Sequence, residues 1–476
     1  MCRSGGPMTA AGIQSYAAYV PSFRLEHEEL GSALTVRGGR GRRTVASFDE
    51  DTTTMGVEAA RRLALGSAAP PSIHFATTAP AYVDKTNATA IHAALGLDHR
   101  GFAVDLAGSA RSAVGALRAA AAGDGLAVLS DLRSGRPGSA DERDGGDGAA
   151  AFRFGSGDGA LAVVLAEASA TAEFLDRWRA PGEQASRQWE ERFGLEQYLP
   201  LVQDAVARAL AAAGVEQADH VVVSSPHART AAQVAKRFPG RTPATPLAIG
   251  YCGAADPGLR LAAVLDRAGP GETILLIVAA DGADASVLRT TDAIATGRGE
   301  RARAGVEAQL AGGRALRYAT YLTWRGLLER EPPRRPEPDR PAAPPSARAE
   351  AWKFAFTGSR CRACGFVHVP PIRVCKRCRT VDEMDPIPLA AQPGTVATFT
   401  VDRLAFSPSP PLTNVVVDFD GGGRYTLELT DGDPSTVAIG TRVETTFRRL
   451  YTVEGVHNYF WKARPLAVGR DEDEEH

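Results

Sequence analysis

The chain has 476 residues, 44% hydrophobic and 23% charged, which is ordinary globular usage and excludes global disorder. Lys plus Arg number 54 against 56 Asp plus Glu, a net charge of −2, so there is no chain-wide basic field for nucleic acid or an anionic membrane. The length suggests two or three domains, each able to bury a core without disulfides.

No stretch approaches the ~20 uninterrupted apolar residues of a membrane span. Residues 1–11 are short, polar and Gly-rich, with no apolar segment leading to a cleavage site. The expected compartment is therefore the cytoplasm. Four of the six cysteines sit in two close pairs, which in such a chain reads as metal binding rather than disulfides.

In chain order, short apolar runs at 72–77 (SIHFAT), 126–130 (LAVLS), 160–165 (ALAVVL), 220–224 (HVVVS) and 273–279 (TILLIVA) have the length and flanks of buried strands. Between them, residues 53–65, 110–122, 199–213 and 258–268 carry helical spacing. Such alternation predicts a layered α/β fold. The pattern runs through once by about residue 170 and begins again, which implies two similar halves.

Residues 329–351 (EREPPRRPEPDRPAAPPSARAEA) break the composition and read as a stiff, extended linker. It separates a domain at 12–328 from a smaller C-terminal region. There, a cysteine-rich segment at 352–384 precedes β-branched and aromatic runs at 394–401, 414–419, 424–429 and 442–447. Gly, Pro and Asp turns separate them, so residues 385–466 read as a small antiparallel barrel. The acidic end, 467–476, reads as a solvated tail.

Cys361, Cys364, Cys375 and Cys378 form C-x2-C-x10-C-x2-C. Each knuckle aims two thiolates at one ion, and four thiolates complete a closed tetrahedral zinc site. No position remains open for substrate, so the metal is expected to be structural. Rubredoxin-type iron is the alternative. Arg360, Arg362, Arg373, Lys376, Arg377 and Arg379 surround the ribbon and read as a solvated rim, a patch facing CoA phosphates or a partner, or a nucleic-acid surface. The barrel lacks an evident run of stacking aromatics, which argues against the last.

The segments CRACGFVHVPPIRVCKRC, GTVATFTV, VDFDGGGRYTLELTD and RRLYTVEGVHNYFWKARP resemble the zinc-ribbon plus OB-fold family that accompanies thiolases and acyl-CoA enzymes. The segments GIQSYAAYVPSFRLEHEEL, VASFDEDTTTMGVEAARRL, SDLRSGRPGSADERDGGDGAAAFRFGSGDGALAVVLAE and FLDRWRAPGE resemble the hydroxymethylglutaryl-CoA synthase branch of the thiolase superfamily. The resemblance implies a thiolase-like layered αβαβα fold made of two similar halves, followed by a zinc ribbon and an OB-fold barrel. It also implies a homodimer, or a catalytically intact thiolase-fold partner, with acyl-CoA or an acyl-carrier protein as ligand.

That family's chemistry uses a Cys nucleophile at a helix N-terminus, a His and an Asn that polarise a carbonyl, and a Glu acid/base. The resemblance places Ala110 at the Cys, Ser224 at the His, Ala254 at the Asn and Thr78 at the Glu. Four losses together imply that ordinary Claisen condensation is absent. Cys252, His227 and Tyr82 fall near the inferred pocket. Cys252 reads as a small buried hydrophobe or, with His227, as a thiolate nucleophile; His227 as a cap or a base; Tyr82 as a proton-transfer group.

Three functions follow from the resemblance. The first is a catalytically degenerate scaffold that completes the acyl-CoA channel of a thiolase-type complex. The second is an acyltransferase or aldolase/synthase with a non-standard site. The third, disfavoured by charge, is a nucleic-acid-binding OB-fold protein.

Overall fold

The computed structural model describes residues 11–63, 69–155, 159–241, 248–296, 299, 304–333, 336 and 338–466. The helix expected at 53–65 ends at Arg61; positions 64–65 of that expectation and the acidic tail at 467–476 lie outside the described residues. The chain divides into two compact units. The first comprises the residues up to 46, 51–89 and 98–321; the second comprises Ser47–Glu50, Ala90–Leu97 and the chain from Leu322.

The first unit is built on one nine-stranded sheet. Its strands are β1 (Gly12–Tyr19), β2 (Ser72–Thr77), β3 (Phe102–Ala107), β4 (Leu126–Asp131), β5 (Gly148–Gly155), β6 (Ala162–Ala170), β7 (His220–Ser224), β8 (Thr273–Ala279) and β9 (Ala283–Thr290). Their order is β7-β8-β9-β6-β1-β5-β4-β2-β3. The expected duplication is visible in the pairing. In one half β2 and β4 are parallel, then β4–β5 and β5–β1 are antiparallel. In the other, β7 and β8 are parallel, then β8–β9 and β9–β6 are antiparallel. The same run of pairings occurs twice in a thiolase-like α/β fold.

Every residue of β4 and β8 is buried, in keeping with the apolar runs LAVL and ILLIVA they contain. Three expected strands coincide with β2, β7 and β8. The strand expected at 160–165 instead runs from Ala162 to Ala170. Its polar second half escaped notice because Glu167 faces a partner across the sheet, 3.0 Å from Ser286 Oγ, and Arg118 at 3.3 Å.

The helices of this unit that matter to the site are α1 (Thr52–Arg61), α2 (Ser112–Ala122), α3 (Ala140–Asp144), α4 (Glu191–Ala213), α5 (Ala228–Ala235) and α6 (Asp256–Leu265). Asp51 and Thr54 close a reciprocal capping box on α1. Helix α4 starts eight residues before the expected 199, because Pro200 marks no boundary and sits within the helix. Ahead of α2, the amides of Ser112, Ala113 and Val114 bond three residues back, to Ser109, Ala110 and Arg111. Residues 110 and 111 therefore form a tight turn rather than helix. One core joins α2 and α6 to the sheet; a second packs α4 on β6, β8 and β9.

In the second unit, β10 (Thr357–Cys361), β11 (Val367–His368) and β12 (Met384–Pro388) form the antiparallel ribbon. The barrel strands β13 (Gly394–Asp402), β14 (Leu412–Phe419), β15 (Arg424–Glu428), β16 (Arg442–Val453) and β17 (Val456–Pro465) are antiparallel in the order β15-β14-β13-β16-β17. A bridge from Leu429, just past β15, to Ala463 on β17 brings the two edges together. Phe356, fully buried, packs its ring among those of Trp352, Phe419, Phe460 and Trp461.

Strand β17 was absent from the sequence reading because Lys462 interrupts its apolar pattern, yet Lys462 is completely buried. The linker expected to be extended contains two short helices, Ala343–Arg348 and Glu350–Lys353. Pro344 and Pro345 do not prevent the first, because they occupy its opening turn, where no amide bond is needed.

Among the described residues no helix is long and apolar enough to cross a membrane.

Candidate functional site

The two cysteine knuckles converge in the ribbon. The sulfurs of Cys361 and Cys378 lie 3.6 Å apart, as do those of Cys364 and Cys375, and all four fall within 4.8 Å of one another. Zinc with four thiolates at ~2.3 Å requires sulfurs about 3.8 Å apart, so the set fits the ion. The Cys378 amide donates to Cys375 Sγ at 3.5 Å, and His368 Nε2 lies 3.4 Å from the same sulfur, the outer contacts such a centre uses. The all-sulfur donor set holds a structural zinc. Two of the surrounding cations are already paired, Arg362 with Asp385 and Arg373 with Asp382, each at 2.7 Å.

The four residues that the resemblance places at the family's chemical positions lie in the first unit. Thr78 follows β2 and is 7% exposed. Its hydroxyl donates to Asp131 Oδ2 at 2.7 Å and accepts from Arg133 Nη1 at 3.0 Å. The same Asp131 oxygen accepts the Ala254 amide at 2.8 Å. Thr78 and Ala254 thus meet at one completely buried carboxylate. Burial raises the pKa of that carboxyl group, opposed by Arg133 and by its hydrogen bonds.

Ala110, the residue that the resemblance aligns with the nucleophile, packs partly buried against the core. The turn around it is held on both sides. Ser109 Oγ donates to Asp281, and Arg111 grips Asp284 with Nε at 2.8 Å and Nη2 at 3.3 Å. Ser224 ends β7 almost fully buried.

His227 caps α5. Its Nδ1 accepts the Thr230 amide at 3.0 Å, and its Nε2 donates to the Glu191 carbonyl at 2.8 Å, so both ring nitrogens are engaged. Cys252 is completely buried, and burial, reinforced by Asp256 and Asp147, pushes its thiol well above the ordinary range. A thiolate is not favoured there. Tyr82 is half-buried, its backbone amide bonded to Asn87.

The sequence reading missed Asp131, Arg133 and their contacts. The signal was present in LAVLSDLR: a buried strand that ends on an aspartate, with an arginine two residues further on. Arg179, within the segment FLDRWRAPGE, donates to the Thr78 carbonyl.

A cavity of about 830 Å³ opens beside this cluster. Val222, Ala231, Ala232, Ala263 and Val264 supply apolar wall, and Arg133 and Tyr251 stand on its polar side.

Hydroxymethylglutaryl-CoA synthase of Aeropyrum pernix is 32% identical to this chain over 321 residues, 60% of this chain and 87% of that protein. The chain belongs to the hydroxymethylglutaryl-CoA synthase family. The Archaeoglobus fulgidus synthase is 33% identical over 310 residues, covering 60% and 90%. The C-terminal residues match two further families, the ChsH2 rubredoxin-like zinc ribbon domain at 354–383 and the ChsH2 C-terminal OB-fold domain at 388–448. A DUF35 domain-containing scaffold protein of Methanocaldococcus jannaschii is 32% identical over 119 residues, 24% of this chain and 84% of that one. A solved hydroxymethylglutaryl-CoA synthase complexed with CoA superposes with a TM-score of 0.56 at 16% identity, covering 66% of this chain and 89% of the other. The curacin-pathway synthase in complex with an acetyl donor carrier protein gives 0.53 at 18%, covering 66% and 88%. These two show the shared fold.

Proposed function

We propose that this chain is a non-catalytic member of the synthase family, an acyl-thioester-binding scaffold subunit that completes the channel of a separate, active thiolase-fold enzyme. The observation that carries the reading is the turn at Ser109–Ala110–Arg111. A methyl group cannot accept an acyl chain from a thioester, and Asp281 and Asp284 hold the turn so that neither neighbour replaces it. Thr78, Ser224 and Ala254 supply no acid/base of the family type. The other candidates do not repair the loss: Cys252 is buried as a thiol, and His227 uses Nδ1 to cap α5 and Nε2 to bond the Glu191 carbonyl of α4.

The fused ribbon and barrel support the same reading, because their relative in Methanocaldococcus jannaschii is described as a scaffold protein. CoA and carrier-protein complexes of synthase relatives support an acyl thioester as the ligand class. The partner is a second thiolase-fold protein that retains its Cys and His.

The test is affinity purification of the tagged chain from its native cell, with mass spectrometry of what co-purifies. Co-purification of a thiolase-fold protein with an intact Cys and His is the expected result. Recovery of this chain alone, together with turnover of acetyl-CoA and acetoacetyl-CoA, would overturn the reading.

A further inference from the structure

Arg360, Lys376, Arg377 and Arg379 are exposed, and each is the direct neighbour in sequence of a zinc ligand. The four ligand sulfurs fall within 4.8 Å of one another, so these four cations gather round one centre. Their companions Arg362 and Arg373 are neutralised by Asp385 and Asp382, each at 2.7 Å. The four themselves form no ion pair among the described residues; Arg360 donates to the Gly421 carbonyl, at 3.2 Å. Against these six cations stand Asp382, Glu383, Asp385 and the charge of about −2 on a zinc tetrathiolate, which leaves the ribbon positive.

The chain leaves the barrel beside this rim. The Leu466 amide, just past β17, donates to the Arg442 carbonyl at 3.0 Å, and the Arg442 guanidinium clasps Asp420 at 2.6 and 2.8 Å. Asp420 precedes Gly421, the acceptor of Arg360, and a Cβ on Gly422 would stand 3.2 Å from Val367 of the ribbon. The run at 471–475, DEDEE, lies outside the described residues and begins five positions after Leu466. Fully extended, that stretch spans at most about 18 Å, and the last acid of the run is at most about 32 Å away. A tether of this length holds the acids near the rim at an effective concentration in the millimolar range.

We propose that the acidic run at 471–475 docks on the cationic rim of its own ribbon and screens that rim from other polyanions. Rim and run are opposite in sign, close along the path of the chain and joined by a tether long enough to bring them together. Each ion pair is weak, since the rim cations are exposed, and occupancy comes from the tether. The proposal is independent of the acyl-thioester reading above. No bond is made or broken.

The test is carbodiimide cross-linking of the full-length, zinc-loaded protein, with peptide mapping by mass spectrometry. An amide between the Lys376 amine and a carboxylate of 471–475 is expected at low salt. It should fade at about 1 M salt, where the Debye length is about 3 Å. Mixing isotopically light and heavy protein assigns the link. Links within one chain support the proposal; links only between chains, or none from Lys376 to the run, overturn it. Screening is read separately, by titrating a short inorganic polyphosphate into the unaltered protein and into a chain ending at Arg470. Removing the run should tighten polyphosphate binding at least about tenfold, as loss of a tethered competitor predicts. Arg377→Glu with Arg379→Glu should abolish that gain, with zinc content checked. Equal binding by the two chains, or binding by neither, would overturn the screening. The truncation removes none of the described residues, so a variant that fails to fold does not blunt the comparison.

Discussion

Thr78 Oγ1 and Asp131 Oδ2 lie 2.7 Å apart, and the carboxylate oxygen that accepts this hydroxyl also accepts the Ala254 amide. Two positions separated by 176 residues are joined through one buried acid. Replacing Asp131 with Ala leaves a buried hydroxyl and a buried amide without an acceptor. The expected cost is about 1–3 kcal/mol for each group left unsatisfied. Urea unfolding followed by Trp fluorescence reads it; an unchanged midpoint would mean that water replaces the carboxylate without loss.

Ala110→Cys tests the absence of chemistry directly. The new thiol stands at the turn before α2, while Thr78, Ser224 and Ala254, which on the proposed reading stand at the acid/base and polarising positions, are unchanged. The variant should take up an alkylating reagent at residue 110 while showing no condensation of acetyl-CoA with acetoacetyl-CoA. Turnover within about a hundredfold of an intact synthase would mean that only the nucleophile is missing.

His227→Ala should behave as the loss of a helix cap. Removing the Nδ1 acceptor for the Thr230 amide and the Nε2 bond to Glu191 is expected to lower stability by about 1–2 kcal/mol. Binding of any acyl thioester should not change. A loss of binding with unchanged melting temperature would assign the imidazole to the ligand instead.

Asp49 makes a pH prediction in the second unit. It is completely buried between Lys462 Nζ at 3.0 Å and Arg448 Nη1 at 3.3 Å. Burial alone would raise its pKa; Lys462 and Arg448 outweigh this and hold it at about 2, below the ordinary 3.8. A depressed carboxyl contributes stability that is present above the unfolded value and lost as pH falls through the folded one. Asp49→Asn should therefore be less stable than the unaltered protein at pH 7, by about 2 kcal/mol. The gap should close between about pH 4 and pH 2. A gap that stays constant over that window, in thermal melts of both proteins, would remove Asp49 as its source.

Chelation of zinc should unfold the ribbon. The four sulfurs cluster with little apolar core of their own, so metal binding and folding are one event. Elemental analysis should find one equivalent of zinc in the unaltered chain and its loss in Cys375→Ser. Retention of a full equivalent would place the metal elsewhere.

The zinc ligands, the alternation of strands and helices, and the resemblance at both ends of the chain were legible in the sequence. Each rests on local chemistry: two-residue knuckle spacing, apolar runs such as TILLIVA whose seven residues are all buried, and turns that need Gly or Pro. The residue types at positions 110, 78, 224 and 254 are equally plain in the sequence, while their assignment to the family's chemical positions rests on the resemblance alone.

Tertiary structure decided what surrounds those positions. The Thr78–Asp131–Arg133 cluster joins side chains far apart in sequence, and no spacing rule links them. Ser47–Glu50 belongs to the second unit although the composition break lies near residue 329, because Asp49 and Glu50 pair with Arg448 some 400 positions later. Burial inverts the ordinary reading of charge: Lys462 and Arg448 look like solvent-facing cations in the sequence, and only the acids folded around them make them core.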